Sequence, residues 1–388
     1  MRWIKWLSFI VLLGMVAFFA LAPPLIESSL NGVLPHPEYG ITPAAAKLHQ
    51  SLIVGDLHAD STLWQRDLRD RASRGHVDLP RLRDGNVALQ AFTFVTKTPA
   101  GMNYESNASD ARDNITLLAF AQRWPLASWR SLSARALYQA SRLNAIADAY
   151  PDELRVLRQR TDLDAVQEAR AEGSQLIGAL MGIEGSHALD GKLENIAILW
   201  DAGIRMFGLH HFFDNKLGGS LHGQGGKGLS AFGREVVAAL VERGAIIDVA
   251  HSSPESVRDV LAMTEQALVV SHTGFQGNCA TPRNIEDGLM QELAARGSLI
   301  GVGYWDAAVC DVSPEGIVAA IRYGIDLLGV EHVALGSDYD GSTTVPLDTA
   351  ELAVLTQVML DRGFSEREIR LVMGGNMRRF LQENLPEA

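Results

Sequence analysis

The sequence predicts a (β/α)8 barrel, in which eight parallel strands alternate with helices, preceded by an N-terminal membrane anchor. Three observations favour this fold. Eight short runs are rich in Val, Ile and Leu without strict alternation, which is typical of strands buried on both faces of a parallel sheet. Helical patterns separate these runs, and five runs lead into residues that can bind a metal. The candidate strands are Leu52–Leu57, Val87–Val95, Leu176–Ile183, Arg205–Leu209, Ala245–Val249, Ala267–Val270, Leu299–Tyr304 and His332–Gly336.

The helices between these strands are predicted from apolar spacing and from residues that begin or end helices. Ala231–Arg243 has apolar residues at helical spacing, follows Ser230 and ends before Gly244. A longer segment, Lys97–Thr161, exceeds a simple crossover, so we expect it to form a cap or rim element. The other predicted helices are Leu193–Asp201, Pro254–Met263, Pro314–Leu328 and Leu347–Arg362, with Asp110–Gln122 and Ser133–Tyr150 inside the long segment.

The ends of five candidate strands favour a closed barrel over the alternative, an open doubly wound sheet. Each of these runs ends in His, Asp or Glu, and a barrel gathers the carboxyl ends of its strands at one mouth. Residues from distant parts of the chain can then meet around one metal centre. The five runs are Leu52–Asp60, Leu176–Glu184, Ala245–His251, Ala267–His272 and His332–Asp338.

The amino terminus carries a signal for secretion or anchoring. Arg2 and Lys5 accompany an apolar run, and the stretch Trp3–Leu25 can just span a bilayer. A small-residue motif that resembles a cleavage site is followed by Pro23–Pro24, which would obstruct processing. We therefore expect residues 1–25 to be an uncleaved signal anchor rather than a cleaved signal peptide. The basic residues then leave the rest of the chain outside the cytoplasm.

Composition and cysteine content limit what the remaining chain can be. Residues 26–42 are rich in turn-forming residues and are predicted to be a linker. Residues 43–388 are predicted to form one barrel domain with a helical insert around 97–161. The formal net charge of −12 disfavours a nucleic-acid partner. Cys279 and Cys310 make neither a disulfide framework nor a Cys-type zinc site. They form one bridge in an oxidising compartment or remain two buried thiols.

Five residues are predicted to bind metal at the barrel mouth. His58 and Asp60 alternate along an extended chain, so both side chains can reach one ion. Glu184 follows a strand between glycines that permit close approach, which suits a bridging ligand. His251 and His272 end consecutive strands, and neutral imidazole is a common zinc ligand. The set predicts a two-metal site that activates water and hydrolyses an amide.

Three further residues are predicted to act on the substrate. Asp338 ends the last strand and can carry the proton of the attacking water to the leaving amine. One of His210 and His211 can face the mouth, and we expect His211 to donate to the oxyanion. Arg283 lies on a mouth loop, where its planar fork matches a substrate carboxylate. Asp340, by contrast, reads as a turn residue.

The chain carries nine motifs whose order and spacing fit a single family, and all the predicted metal ligands, Arg283 and Asp338 lie within them. The motifs are D-L-H-A-D (Asp56–Asp60), D-L-P-R-L-R-D-G-N-V (Asp78–Val87), G-I-E-G-S-H (Gly182–His187), G-L-S-A-F-G-R-E-V-V (Gly228–Val237), D-V-A-H-S-S, V-S-H-T, P-R-N, G-S-D-Y-D-G and G-G-N-M-R-R-F (Gly374–Phe380). Between about Leu52 and Leu381 the chain resembles the membrane dipeptidase (renal dipeptidase) family of zinc peptidases, peptidase family M19 of the amidohydrolase superfamily.

The resemblance implies two zinc ions per chain. One zinc is bound by His58 and Asp60 and the second by His251 and His272, while Glu184 bridges the two.

The resemblance also implies the roles of the substrate-facing residues. Asp338 is the acid/base residue, His211 contacts the substrate carbonyl or the intermediate, and Arg283 holds the substrate carboxylate. Family members cleave dipeptides with a free carboxyl end and often accept a D-residue there. Some also open carbapenem-type β-lactam rings.

The sequence departs from the family in four places. Ala59 stands where many members have Asn, which affects hydrogen bonding near the metal, and His210 replaces a small polar residue. The insert Lys97–Thr161 is unlike the mammalian members and is expected to reshape the mouth. The anchor replaces a lipid tail. Cys279 and Cys310 fall near positions bridged in a mammalian member, which favours one disulfide.

The sequence therefore predicts zinc-dependent hydrolysis of small dipeptides that carry a free C-terminal carboxylate, with D-residues as an option there. The catalytic domain is expected in the periplasm on a bacterial inner membrane, or free in the periplasm if the signal is cleaved. Two alternatives stay open: another amidohydrolase reaction, such as deacylation of an N-acyl amino acid, and a catalytically silent, membrane-tethered binding protein. The expected oligomeric states are a monomer and a homodimer.

Overall fold

The computed structural model describes residues 2–387, and its main feature is a parallel sheet that closes into a barrel. In chain order the strands are β1 (Gly32–Val33), β2 (Val54–Ala59), β3 (Val87–Val95), β4 (Leu154–Val156), β5 (Ile177–Glu184), β6 (Ile204–Gly208), β7 (Ile246–Asp248), β8 (Val269–Thr273), β9 (Leu299–Val302), β10 (Val333–Leu335) and β11 (Thr344–Val345). Strand β10 pairs with β2 and β3 pairs with β5, so β2, β3 and β5–β10 form a closed ring of eight. The closed barrel is therefore confirmed, and the open doubly wound alternative is wrong.

Helices surround the barrel and connect its strands. In chain order they are α1 (Arg2–Leu30), α2 (Pro43–Gln50), α3 (Leu79–Asp84), α4 (Asn114–Ala121), α5 (Leu132–Ala149), α6 (Arg160–Ala171), α7 (Glu194–Asp201), α8 (Ala231–Glu242), α9 (Pro254–Met263), α10 (Asp287–Ala294), α11 (Asp306–Val309), α12 (Pro314–Leu328), α13 (Ala353–Asp361), α14 (Glu366–Arg370) and α15 (Asn376–Asn384). Helices α9 and α12 have the predicted bounds because each begins with a Ser cap and a proline in its first turn.

Three of the differences from the sequence prediction concern the segment before the barrel, one predicted helix and the insert. The predicted linker contains the end of α1 and strand β1, which pairs with β11. The expected helix Leu347–Arg362 is a short 3₁₀ turn followed by α13, because Asp348 accepts a hydrogen bond from the Ala350 amide and caps the turn. Strand β4 was not predicted, and it lies inside the insert paired with β5. Short strands of this kind carry too little periodicity to be seen in a sequence.

Two glycines let the last strands of the barrel approach each other closely. A Cβ atom on Gly301 would lie 2.2 Å from the carbonyl oxygen of Ser271, and one on Gly336 would lie 2.1 Å from the same oxygen. Only hydrogen fits at these positions, so β8, β9 and β10 converge beneath the mouth. This convergence brings the ends of β8 and β10, with His272 and Asp338, towards β2.

The end of α1 and the residues that follow it are held in place by buried polar contacts. Glu27 is buried, and its carboxylate forms ion pairs with Arg66 and Arg74, each with an N–O distance of 2.6 Å. The Asn31 side-chain oxygen accepts a hydrogen bond of 2.8 Å from the Ser342 amide. The end of α1 therefore packs against the loop that follows β2, and Asn31 against the loop that follows β10.

Candidate active site

Glu184 lies at the centre of a buried cluster of histidines and carboxylates at the barrel mouth. Its Oε1 atom is 3.3 Å from His251 Nε2, 3.5 Å from His272 Nε2 and 3.5 Å from His58 Nε2. Asp60 Oδ1 is 3.6 Å from His58 Nε2. The structure thus brings together all five residues for which the sequence predicts metal binding.

Strand β2 positions His58 and Asp60 as the alternation of side chains predicts. His58 is the fifth residue of the strand, and Asp60 follows its last residue. The Thr93 hydroxyl on the neighbouring strand β3 donates a hydrogen bond of 2.6 Å to Asp60 Oδ1. Asp338 Oδ1 lies 3.8 Å from His58 Nε2, so the last strand reaches the same cluster.

The cluster has the donor atoms and the unsatisfied nitrogens that divalent cations fit. His58 Nε2 is buried without a hydrogen-bond partner, and His251 Nε2 faces His272 Nε2 at only 2.9 Å. Imidazole nitrogens and carboxylate oxygens are the ligands that zinc takes in hydrolases. Within the described chain, three overlapping sets have ligand atoms within 4.8 Å of one another: His58, His272 and Asp338; Glu184, His211 and His251; and His58, Asp60 and Glu184.

The ionisation of these groups also reflects an excess of negative charge at the mouth. Burial lowers the pKa of His58, but Glu184, Asp60 and Asp338 outweigh burial and raise it to about 10. Burial, with the nearby charge of Asp60, raises the pKa of Glu184 well above its usual range. Three carboxylates in so small a buried volume require positive charge nearby, which a proton on His58 or a bound cation can supply.

His211 and His210 point in different directions, as the sequence predicts. His211 Nε2 is 3.3 Å from Glu184 Oε2, so its ring faces the cluster. His210 Nδ1 instead lies 3.0 Å from the Ser252 hydroxyl, away from the cluster. Burial lowers the pKa of each ring to about 4, so His211 is a neutral imidazole, which has one nitrogen that donates a hydrogen bond and one that accepts.

Arg283 is a fully buried guanidinium beside the cluster. Its Nη2 donates a hydrogen bond of 2.7 Å to the His272 carbonyl, and its plane lies over the Trp305 ring at 5.3 Å. The Nε atom is buried without a partner. A buried guanidinium whose Nε–H group has no partner suits a carboxylate of the ligand.

Ser271 is a residue that the sequence reasoning missed, and it contacts two of the cluster histidines at once. Its hydroxyl donates to Asp248 Oδ2 at 2.6 Å, which leaves the oxygen free to accept from His58 Nδ1 and His272 Nδ1, each at 3.0 Å. Each imidazole then carries a proton on Nδ1 and directs the Nε2 lone pair into the cluster. Ser271 directly precedes His272 in the V-S-H-T motif, which was the available signal.

We expect Ser271→Ala to weaken metal binding by about 10- to 100-fold, because outer hydrogen bonds orient the ligand rings. Metal affinity is measured by titration against a competing chelator, and the melting temperature of the metal-free protein shows whether the fold is intact. Ser298→Ala removes another fully buried hydroxyl, away from the cluster, and serves as the control. Equal metal affinity in the two variants would contradict this role.

A cavity of about 690 Å³ opens above the cluster. Asp60, Glu184, His211, Arg283 and Asp338 line its floor, and the insert supplies much of its wall. The insert residue Tyr104 lines it as well, and burial raises the pKa of Tyr104 to about 12, so its hydroxyl stays neutral. Tyr104 follows a loop with no periodic pattern, so the sequence held no signal for it.

Asp340 differs from its interpretation as a simple turn residue. It has a left-handed backbone (φ 62°), as in a turn, but its side chain is fully buried. The carboxylate accepts hydrogen bonds from the Ser61 hydroxyl at 2.6 Å and the His76 amide at 2.7 Å, and it forms an ion pair with Arg66. Asp340 therefore supports the loop that carries Asp338.

Cys279 and Cys310 are joined by a disulfide bond. The bond links the loop after β8 to the residue after α11, and the loop after β8 also carries Arg283. The bridge therefore fixes one side of the mouth.

Comparison with protein families and known proteins places the chain among peptidases. The family model described as membrane dipeptidase (peptidase family M19) matches residues 43–386. The chain is 26% identical over 348 residues to Dipeptidase 3 of Mus musculus, a match that covers 83% of this chain and 61% of that protein. It is 32% identical over 356 residues to Dipeptidase aclJ of Aspergillus oryzae (strain ATCC 42149 / RIB 40), covering 84% of this chain and 76% of that protein. The chain thus spans about three fifths of the mouse protein.

A solved structure shares the fold. It is the crystal structure of a metallo peptidase from Rhodobacter sphaeroides liganded with a phosphinate mimic of the dipeptide L-Ala-D-Ala. The TM-score is 0.69 at 21% sequence identity, and the match covers 86% of this chain and 99% of that one. At this identity the likeness concerns the fold, and it agrees with the closed barrel described above.

Proposed function

The chain belongs to the membrane dipeptidase family, peptidase family M19, and we propose that it hydrolyses dipeptides with a free C-terminal carboxylate at a two-zinc centre. The convergence of three histidines on one buried carboxylate, Glu184, carries the proposal. Such an arrangement fits a pair of cations held by a shared ligand.

In this proposal His58 and Asp60 would hold one zinc ion and His251 and His272 the other, with Glu184 as a ligand that both ions would share. The distances from Glu184 Oε1 to the three imidazole nitrogens support a bridging position. When bound, two zinc ions lower the pKa of a shared water and polarise the scissile carbonyl.

The remaining residues handle the protons and the substrate. The Asp338 carboxylate accepts a proton from the attacking water and returns it to the leaving amine, since it lies beside His58 at the rim of the cluster. His211 donates a hydrogen bond to the oxygen that develops negative charge. Arg283 binds the carboxylate of the C-terminal residue through its guanidinium, whose Nε–H group has no other partner.

The substrate class is proposed from the cavity and from the relatives. Among the described residues, Arg283 is the one guanidinium that lines the cavity and it is buried, which suits a short peptide with one terminal carboxylate. The Rhodobacter sphaeroides protein holds a mimic of L-Ala-D-Ala, so we include D-residues at the carboxyl end. A screen of L,L- and L,D-dipeptides, with and without a chelator, tests the proposal directly.

The same screen separates the alternatives. Hydrolysis of N-acetylated amino acids in preference to dipeptides would indicate an N-acyl amino acid deacylase. A zinc-loaded protein that cleaves neither class would indicate a binding protein. Chelator-sensitive cleavage of dipeptides is the expected result.

We expect Arg283→Ala to raise KM for dipeptides about 10- to 100-fold with a smaller effect on kcat, because it removes a charge-assisted hydrogen bond to the carboxylate. C-terminally amidated dipeptides lack this carboxylate and should lose far less. Arg283→Lys keeps the charge and checks that the buried site tolerates substitution. Equal losses on acid and amide substrates would argue against the role.

We also propose that α1 anchors the protein, with the barrel outside the cytoplasm of a bacterial cell. Residues Trp3–Leu30 form a helix long and apolar enough to cross a membrane, and only 6% of its most apolar window is buried. The disulfide agrees with an oxidising compartment. The mass of the mature protein purified from membranes distinguishes an uncleaved anchor from a processed signal.

A further inference from the structure

The wall of the active-site cavity includes side chains of the proposed anchor helix. Phe18, Ile26 and Leu30 of α1 line the same cavity as the cluster residues Glu184 and Asp338. The anchor and the catalytic mouth are therefore neighbours, and the position of one fixes the position of the other.

The insert adds exposed apolar side chains to this region, and Met102, Leu117 and Phe120 line the cavity together with α1. Outside residues 1–34, the described chain exposes six large apolar side chains, and four of them lie within residues 102–126. We call these four the apolar rim: Met102 (39% exposed), Leu117 (55%), Phe120 (42%) and Leu126 (74%). Such clustering on a monomer marks a surface that contacts another apolar phase.

The apolar rim continues directly from the anchor helix. The Phe120 ring on α4 lies 5.3 Å from the Phe19 ring on α1.

The length of α1 determines how deeply the apolar rim lies in the bilayer. Trp3–Phe18 is almost entirely exposed and spans about 24 Å at 1.5 Å per residue. A bilayer core is about 30 Å thick, so about four more residues must lie in it. Those residues, Phe19–Ala22, begin where α1 meets Phe120. A bilayer that covers the apolar length of α1 therefore also covers part of the rim.

The junction between α1 and the barrel cannot easily tilt away from this position. Glu27 is fixed by Arg66 and Arg74, and β1 is paired with β11. Removing one partner of such a buried ion pair leaves an uncompensated charge, so the docked arrangement persists.

We propose that the apolar rim (Met102, Leu117, Phe120 and Leu126) inserts into the surface of the lipid bilayer beside α1, so that the active-site cavity opens at the membrane surface. The proposal rests on the proposed anchor and is independent of the reaction that the site catalyses. It implies that substrate reaches the site along the membrane surface.

Single-cysteine labelling of the full-length chain tests the proposal, because both native cysteines are bonded to each other. The variants Leu117→Cys and Leu126→Cys carry the fluorophore NBD in vesicles of phosphatidylethanolamine and phosphatidylglycerol. Ile198→Cys is the control, since Ile198 is 47% exposed on α7 and does not line the cavity. Val11→Cys, within α1, reports on the anchor itself.

We expect doxyl-labelled lipids to quench NBD at positions 117 and 126 at least threefold more than at position 198, with iodide showing the reverse order. Quenching at 117 and 126 equal to that at 198, while position 11 is in lipid, would overturn the rim and leave the anchor in place. A water-exposed label at position 11 would overturn both. Dipeptide hydrolysis by the same vesicles is scored separately, so failure of the proposed reaction is distinguishable.

Discussion

His251→Ala is expected to abolish both zinc retention and dipeptide turnover. His251 Nε2 lies 3.3 Å from Glu184 Oε1 and 2.9 Å from His272 Nε2, so its loss removes a ligand at the centre of the cluster. Metal ions supply several kcal/mol of transition-state stabilisation in hydrolases, which corresponds to a loss of about 1,000-fold or more in kcat. Asp60→Ala should act in the same way from the other side of the cluster.

Metal content by mass spectrometry and kcat on a cleaved dipeptide measure this effect. His36→Ala, at a partly exposed histidine that pairs with Glu351 and does not belong to the cluster, is the matched control and should keep two zinc ions and full activity. Removal of metal from the wild-type chain with a chelator, followed by readdition of zinc, should abolish and then restore turnover. Full activity in both metal-loaded ligand variants would refute the assignment of these residues.

Asp338→Asn is expected to lower kcat by about 100- to 10,000-fold while KM and zinc content change little. The amide cannot take the proton of the attacking water, and general acid–base catalysis by one side chain contributes a factor of this size. The substitution keeps the shape of the side chain, so the left-handed backbone at this position (φ 59°) is tolerated equally well by Asn.

The surface substitution Asp326→Asn is the control for this prediction, because that carboxylate is 69% exposed on α12. Asp340→Asn separates a structural role from a catalytic one. Asp340 is paired with Arg66, so this substitution should lower the melting temperature, whereas Asp338→Asn should lower kcat at an unchanged melting temperature. If Asp338→Asn lost its zinc together with its activity, Asp338 would be a metal ligand rather than the proton carrier.

Much of the barrel could be predicted because its strands are buried on both faces. All eight candidate strands occur in the structure, and Val87–Val95 has the predicted bounds. A strand in this environment is a continuous apolar run, so its position is local information. Strand β1 could not be predicted, for the opposite reason. It forms only through its pairing with β11, which lies far along the chain.

The residues of the cluster could also be predicted from the sequence. The residues that hold them in position through hydrogen bonds and ion pairs could not. His58, Glu184 and His272 each follow an apolar run, and the rule that parallel strands share one mouth is enough to group them. Asp340 has no such mark in the sequence, and the only signal for Ser271 is its place directly before His272. Their importance comes from contacts with residues on other strands, namely His58 in one case and Arg66 in the other.

The sequence by itself determined the (β/α)8 class and the set of strand-end residues, because both depend on patterns within single strands. Only the tertiary structure decided that Glu184 lies among three imidazoles, that Ser271 orients two of them, and that α1 and the apolar rim flank the same cavity. These facts are distances between segments far apart in the chain. They follow from barrel closure and from the docking of the amino-terminal segment, which no local pattern encodes.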